Sequence, residues 1–219
     1  MSIQENLHKI KASLPANVTL IAVTKTHPVE KLMEVYSAGH KIFGENKVQE
    51  LCDKQEVLPK DIEWHLIGHL QSNKVKYIAP FVALIHSVDS FKLLAEIDKQ
   101  AKKNNRIIDC LLQIFIASEE TKFGLDFKEA EQLLSGTEIQ ALQNIRIVGL
   151  MGMASNTSDT AQVKKEFHSL KTFFESQKNQ KSSNVQLSLL SMGMSSDYEL
   201  AIEEGSNMVR VGSAIFGAR

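Results

Sequence analysis

Apolar positions along this chain follow two periods. Short β-branched runs recur at residues 19–24, 40–43, 63–67, 82–87, 107–116, 145–150, 186–190 and 208–211. Such runs, bounded by polar segments, predict strands. Between them the apolar residues step with the period of a helix. In 90–103, Leu93, Leu94, Ile97 and Ala101 share one face, and in 159–176 so do Val163, Phe167, Leu170 and Phe174. Ile3, Leu7, Ile10 and Leu14 recur at helical spacing with polar residues between them, a helix pattern and not a secretion signal. No apolar run approaches the roughly 18 residues that span a bilayer. The polar stretch 177–184 reads as a loop.

Strands alternating with helices predict parallel βαβ units. Roughly eight such units fit a single closed (β/α)₈ TIM-type barrel of the α/β class, and 219 residues is near the short end for that fold. No linker divides the sequence, so one domain over residues 1–219 is expected. The competing architecture is an open, doubly wound sheet. It calls for a glycine-rich turn after the first strand, and this one ends Val23-Thr24-Lys25-Thr26-His27-Pro28.

Charge and cysteine content narrow the function classes. Net charge is −1, without the basic footprint that nucleic acid requires. Cys52 and Cys110 offer no metal-ligand spacing and no disulfide framework. Cys110 lies in an apolar run and reads as core. A cytoplasmic location, with no membrane or nucleic-acid partner, is the expectation.

In a barrel, function collects at the C-terminal ends of the strands. There the chain places Lys25, then Gly44-Glu45-Asn46, Gly68-His69, His86-Ser87-Val88-Asp89, Met151-Gly152-Met153, Ser191-Met192-Gly193-Met194-Ser195-Ser196 and Arg210-Val211-Gly212-Ser213. Lys25 follows the apolar run Leu20-Ile21-Ala22-Val23. At an apolar mouth the charged amine loses solvation, which lowers its pKa and leaves the neutral nucleophile that Schiff-base chemistry needs. The alternative is a lysine that snorkels outward. The segment 191–195, ahead of a helix over 197–204, and Gly212-Ser213 after the last strand stand where barrels bind phosphate. Alternatively they are turn glycines and a capping serine. Arg210 donates hydrogen bonds and accepts none. It either faces the mouth or pairs at the surface with Glu203 or Glu204.

Two metal readings fail. His65 and His69 stand four apart, but on a strand ending at Gly68, so they share no helical face and form no zinc motif. Met151, Met153, Met192 and Met194 read as packing around the barrel top.

Longer blocks carry a resemblance. Ala22-Val23-Thr24-Lys25-Thr26, Phe43-Gly44-Glu45-Asn46-Lys47-Val48-Gln49-Glu50 and Trp64-His65-Leu66-Ile67-Gly68-His69-Leu70-Gln71-Ser72-Asn73-Lys74 all resemble the pyridoxal phosphate homeostasis protein family. So do Gly149-Leu150-Met151, Leu190-Ser191-Met192-Gly193-Met194-Ser195 and Val209-Arg210-Val211-Gly212-Ser213-Ala214-Ile215-Phe216-Gly217. The family is similar to the N-terminal barrel of alanine racemase and related group-III cofactor enzymes. The resemblance implies a PLP-binding barrel without the C-terminal β domain. It implies pyridoxal 5′-phosphate (PLP) as cofactor, held as a Schiff base on Lys25. It further implies phosphate contacts from Ser191, Gly193, Gly212 and Ser213, Arg210 facing the ring nitrogen and Asn46 near the ring. Lys122 matches a family lysine near the mouth. His27 stands where a second lysine is common, and Phe123 where a small residue is usual.

The resemblance also implies a role in vitamin B6 homeostasis: holding PLP and delivering it to PLP-dependent apo-enzymes, without catalytic turnover. The residues support this independently. Racemisation needs a base on each face of the substrate, and Lys25 serves one. No second domain is expected to supply an opposing tyrosine, and Tyr36, Tyr77 and Tyr198 fall in candidate helices. An arginine opposite the ring nitrogen leaves it unprotonated, which weakens the ring as an electron sink. An amino-acid racemase is the alternative, and a barrel binding another phosphorylated metabolite without a covalent bond is a third reading. A closed barrel has no free sheet edge, so a monomer is expected.

Overall fold

The apolar runs pair side by side in chain order. In a computed structural model, which describes residues 2–118, 123–180 and 182–217, the strands are β1 Thr19–Val23, β2 Ile42–Glu45, β3 Glu63–Leu66, β4 Leu84–Val88, β5 Ile108–Ile114, β6 Ile145–Gly152, β7 Val185–Ser191 and β8 Met208–Val211. All neighbouring pairs are parallel, and β1 pairs with β8 to close the barrel. Helices α1 Ile3–Ser13, α2 Val29–Ser37, α3 Val48–Val57, α4 Val75–Ile78, α5 Phe91–Lys103, α6 Phe127–Ser135, α7 Thr137–Gln140, α8 Thr160–Gln177, α9 Tyr198–Glu203 and α10 Ser213–Phe216 surround it. The fold is a (β/α)₈ TIM-type barrel, as the alternation predicts.

The expected strands differ from the observed ones mainly at β2 and β6. The sequence places the second strand at 40–43, with Gly44-Glu45-Asn46 beyond its end, but β2 runs from Ile42 to Glu45. Gly44 belongs inside the barrel, where an added Cβ would lie 2.8 Å from Ile21 Cγ2. β6 continues past 150 to Gly152.

Side chains of alternate strand residues point to opposite faces. The outward set packs against the helices in the main core, including Leu32, Phe43, Trp64, Leu94, Cys110 and Phe167. The inward set forms a smaller cluster of Ile21, Leu84, Leu111, Val148, Met151 and Met208, flanked by Ile42 and Leu189. Two residues further along three of these strands, the inward positions turn polar: His86 after Leu84, Ser191 after Leu189, Arg210 after Met208.

The end of β1 is clamped from α3. Lys54 is buried, and its Nζ donates to Thr24 O at 2.7 Å, Glu45 Oε1 at 2.6 Å and Glu50 Oε1 at 2.7 Å. The Thr24 hydroxyl donates to Glu45 Oε1 at 2.6 Å, and the Thr26 N–H to Glu50 Oε1 at 2.5 Å. Thr26 has φ 66°, a conformation a β-branched residue adopts only when its surroundings impose it. Burial pushes the Glu45 carboxyl up, against the hydrogen bonds from Lys54 and Thr24. Lys25 thus sits between two residues whose backbone is tied to one buried ion-pair network.

Removing one partner of such a pair leaves a buried charge alone. Lys54→Met should cost about 3–5 kcal/mol in urea unfolding, and a loss below about 1 kcal/mol would contradict the clamp. A second prediction concerns His40, His65 and His86, all buried. Burial lowers His40 to about 4 and His65 to about 3, and burial, His65 and Arg210 hold His86 well below the usual range. The unfolded chain takes up these protons near about pH 6.5 and the folded chain does not. Stability is therefore full above that pH and falls as pH drops. The unfolding free energy from urea titrations should decline from pH 7 to 5, approaching about 1.4 kcal/mol per pH unit for each histidine below about pH 6; a flat profile would count against the assignment.

Candidate functional site

A cavity of about 530 Å³ opens where the strands end, within the size range of small-molecule sites. Lys25, from the end of β1, lines one side and is half-buried. Asn46 follows β2 and lines the same cavity. Its place depends on Gly68, because a Cβ there would lie 2.3 Å from Asn46 O. Arg210, Gly212 and Ser213 come from β8 and the turn beyond it. Lys25 and Asn46 are therefore brought together with Arg210, Gly212 and Ser213 from the far end of the chain.

Ser191 and Gly193 stand elsewhere. Ser191 is fully buried, and its hydroxyl accepts from Arg210 Nη1 at 2.6 Å. Gly193 has φ 92°, and a Cβ there would meet Tyr198 Cα at 2.8 Å. It is a turn residue that lets the β7 loop close against α9, and its carbonyl accepts the Arg210 N–H at 3.0 Å.

Arg210 resolves the alternative left by the sequence. It is buried, not paired at the surface, and burial lowers its pKa to about 10. Nη1 also donates to Ser191 O at 2.9 Å, and Nη2 to Gly152 O at 3.1 Å. Glu203 pairs with Lys164 and Glu204 with His168. Among the described residues Arg210 has no carboxylate within ion-pair distance, so its charge is held by neutral oxygens beside the cavity.

The rim beyond β8, next to the end of β1, carries a convergence of donors. The Ser195 hydroxyl accepts from Gly212 N–H at 3.1 Å and Ala214 N–H at 3.3 Å. An oxygen already sits where two backbone amides point. Its loop is pinned by the Met194 N–H, which donates to Asp197 Oδ1 at 2.6 Å.

Further lining residues are Val23, His27, Ile67, Met153, Met194, Ser195, Ser196 and Gly217. His27 stacks on Phe216 with centroids 4.6 Å apart. Met153 and Met194 face the cavity while Met151 and Met192 are buried, so the methionines divide between lining and core. The sequence marks the 191–195 loop as a whole as a phosphate candidate without singling out Ser195, whose hydroxyl is the one that meets the amides of Gly212 and Ala214. Sequence reading missed His86, an inward position on β4. His65 lies inside the barrel, whereas His69 sits half-exposed beyond the strand and stacks on Phe123 at 5.0 Å. No group of three or more His, Cys, Asp or Glu among the described residues is placed to hold a metal ion. Lys122 lies outside the described residues. No described helix is long and apolar enough to cross a membrane.

Comparison with known proteins gives this arrangement a context. The family model described as alanine racemase, N-terminal domain, matches residues 1–219. The pyridoxal phosphate homeostasis protein of Aquifex aeolicus is 42% identical over 201 residues, covering 91% of this chain and 86% of its own. The structure of PipY from Synechococcus elongatus without PLP superposes with a TM-score of 0.92 at 39% identity, covering 99% of this chain and all of that one. The same protein with PLP bound gives a TM-score of 0.89 at 38% identity, covering 99% of this chain and 100% of the other. By the match along its whole length and by the identity to these relatives, the chain belongs to the pyridoxal phosphate homeostasis protein family, within the wider family of alanine racemase N-terminal domains.

Proposed function

We propose that this protein binds pyridoxal 5′-phosphate at the barrel mouth, as a Schiff base on Lys25, and serves vitamin B6 homeostasis. The observation that carries the reading is one cavity that joins a half-buried lysine, a buried arginine hydrogen-bonded to neutral oxygens, and a rim of amides and hydroxyls. Those groups suit an aldehyde, a ring nitrogen and a phosphate respectively. PLP bound in the related PipY structure supports the assignment. When bound, the group supplies an aldehyde that condenses with an amine, releasing water, and a conjugated ring.

The chain's own residues have separate tasks. Lys25 provides the amine. Gly212, Ser213 and Ser195 hold the phosphate through amide and hydroxyl donors, with the Ser195 hydroxyl ceding its two amides to a phosphate oxygen. Ser191 and Gly193 act at one remove: the hydroxyl of Ser191 and the carbonyl of Gly193 hold Arg210. Arg210, a permanent donor, keeps the ring nitrogen unprotonated. Asn46 and the methionine side chains of Met153 and Met194 flank the ring.

We read the role as storage and delivery, without catalytic turnover. Among the described residues, the titratable side chains lining the cavity are Lys25, His27 and Arg210. Tyr36 hydrogen-bonds Asp61 at 2.9 Å on the outer surface, Tyr77 is exposed, and Tyr198 lines a neighbouring groove beside α1. None is placed as a second base. The named role of curated relatives in homeostasis supports this. The protein acts in this reading as a cytoplasmic monomer that hands PLP to apo-enzymes.

Borohydride reduction of the PLP-loaded protein should abolish its visible band and leave a mass adduct on the peptide carrying Lys25. Lys25→Ala should give neither band nor adduct. A protein that stays colourless with PLP, or an adduct on another lysine, would overturn the assignment. Transfer is tested separately. PLP should reach an apo-aminotransferase faster from this protein than it dissociates into buffer, and equal rates would remove the delivery role. Turnover of a D- or L-amino acid panel above the Lys25→Ala background would favour a racemase-like enzyme instead.

A further inference from the structure

Beneath the cavity floor a line of polar side chains crosses the barrel interior. Arg210 Nη1 donates to Ser191 Oγ at 2.6 Å. Ser191 Oγ lies 3.2 Å from His86 Nδ1, and His86 Nε2 lies 3.1 Å from His65 Nδ1. Arg210, Ser191, His86 and His65 are all buried, on strands β8, β7, β4 and β3. None of the proposed contacts to PLP uses the two histidines.

Donor and acceptor counting gives the line a direction. A guanidinium donates and cannot accept. Ser191 Oγ therefore spends a lone pair on Arg210 and has one proton of its own to place. Its other hydrogen-bond neighbour among the described residues is His86. A buried hydroxyl proton left without an acceptor is costly, so the proton points at His86 Nδ1. That nitrogen is then bare, and the His86 proton sits on Nε2. It in turn points at His65 Nδ1, which is also bare. The reverse order would strand the serine proton beside an arginine.

We propose that His86, backed by His65, is a positioning residue for Arg210: a one-way chain from Arg210 through Ser191 and His86 to His65 fixes both rings as neutral Nε2–H tautomers and holds the guanidinium at the cavity floor. The chain works only with neutral rings, since an imidazolium has no acceptor to offer Ser191. Burial holds both histidines neutral, with His65 lowered to about 3 and His86 well below the usual range. The consequence for the ring that meets Arg210 rests on the PLP reading above; the chain itself does not.

Two measurements test it. The first uses wild-type protein without PLP: nitrogen-15 NMR of labelled histidine. His86 and His65 should both show protonated Nε2 and bare Nδ1, and Ser191→Ala should shift the His86 Nδ1 signal. Protonated Nδ1 on His86, or a doubly protonated ring at neutral pH, would overturn the chain. The second compares His86→Phe with His86→Asn, whose amide oxygen can accept at the Nδ1 position. His86→Phe should move the visible band of the PLP-loaded protein and weaken PLP binding about tenfold, the equivalent of about 1.4 kcal/mol. His86→Asn should restore the band and bind within about threefold of wild type. Equal band and affinity in His86→Phe and wild type would overturn the positioning role. Failure of wild type to bind PLP would fall on the reading in the previous section, and the tautomer result would still decide the chain.

Discussion

Hydrogen bonding between the first strand and the last closes the barrel, and the arrangement of the mouth depends on that seam. The register sets Ile21 beside Arg210 and Ala22 beside Val211. Lys25, just beyond β1, and Gly212-Ser213, just beyond β8, therefore share one cavity. Neither group would have a chemical partner in an open sheet with the same strands. Parallel strands with short ends demand long-range pairing before any site exists, so fold and site form together.

The seam alone would leave two liabilities, and the structure answers each with a buried polar network. Lys25 lies at a strand end, where backbones fray. The Lys54 network ties down Thr24 before it and Thr26 after it, holding Thr26 at φ 66°. Arg210 is a buried cation without a carboxylate within ion-pair distance among the described residues. Carbonyls from Ser191 and Gly152, with the Ser191 hydroxyl, stand in for one. A carboxylate would have satisfied the guanidinium and removed its pull on anything entering the cavity. Neutral acceptors satisfy its geometry, and the nearest carboxylate it feels, Asp197, acts without a direct ion pair.

Much of this was legible in the chain, for reasons that can be located. Short apolar runs alternating with amphipathic helices specify a barrel, because parallel strands covered by helices are buried on both faces. Lys25, Asn46 and Arg210 were visible because strand ends in a barrel share one rim. Hidden were features set by neighbours distant in sequence. Ser191 looked like a phosphate ligand, yet its inward position on β7 places its hydroxyl under Arg210. Gly193 also takes a positive φ, where a Cβ would press on Tyr198, and that conformation depends on where α9 lies. His86 carried no motif at all. Only the register of β4 against β3 and the barrel cross-section put it within reach of His65 and Ser191. Ser195 was in view as part of a polar loop, but its reach to the amides of Gly212 and Ala214 depends on where β8 ends.

A crystal structure of the protein grown with PLP would read the cofactor's orientation at the barrel mouth along with its presence. Continuous density is expected from Lys25 Nζ to the cofactor, with the ring nitrogen within hydrogen-bond reach of the Arg210 guanidinium and the phosphate at the Gly212 and Ala214 amides and the Ser195 and Ser213 hydroxyls. A ring turned so that its phosphate faces Asn46 and its nitrogen faces solvent would contradict this placement, as would a cofactor bound away from the mouth.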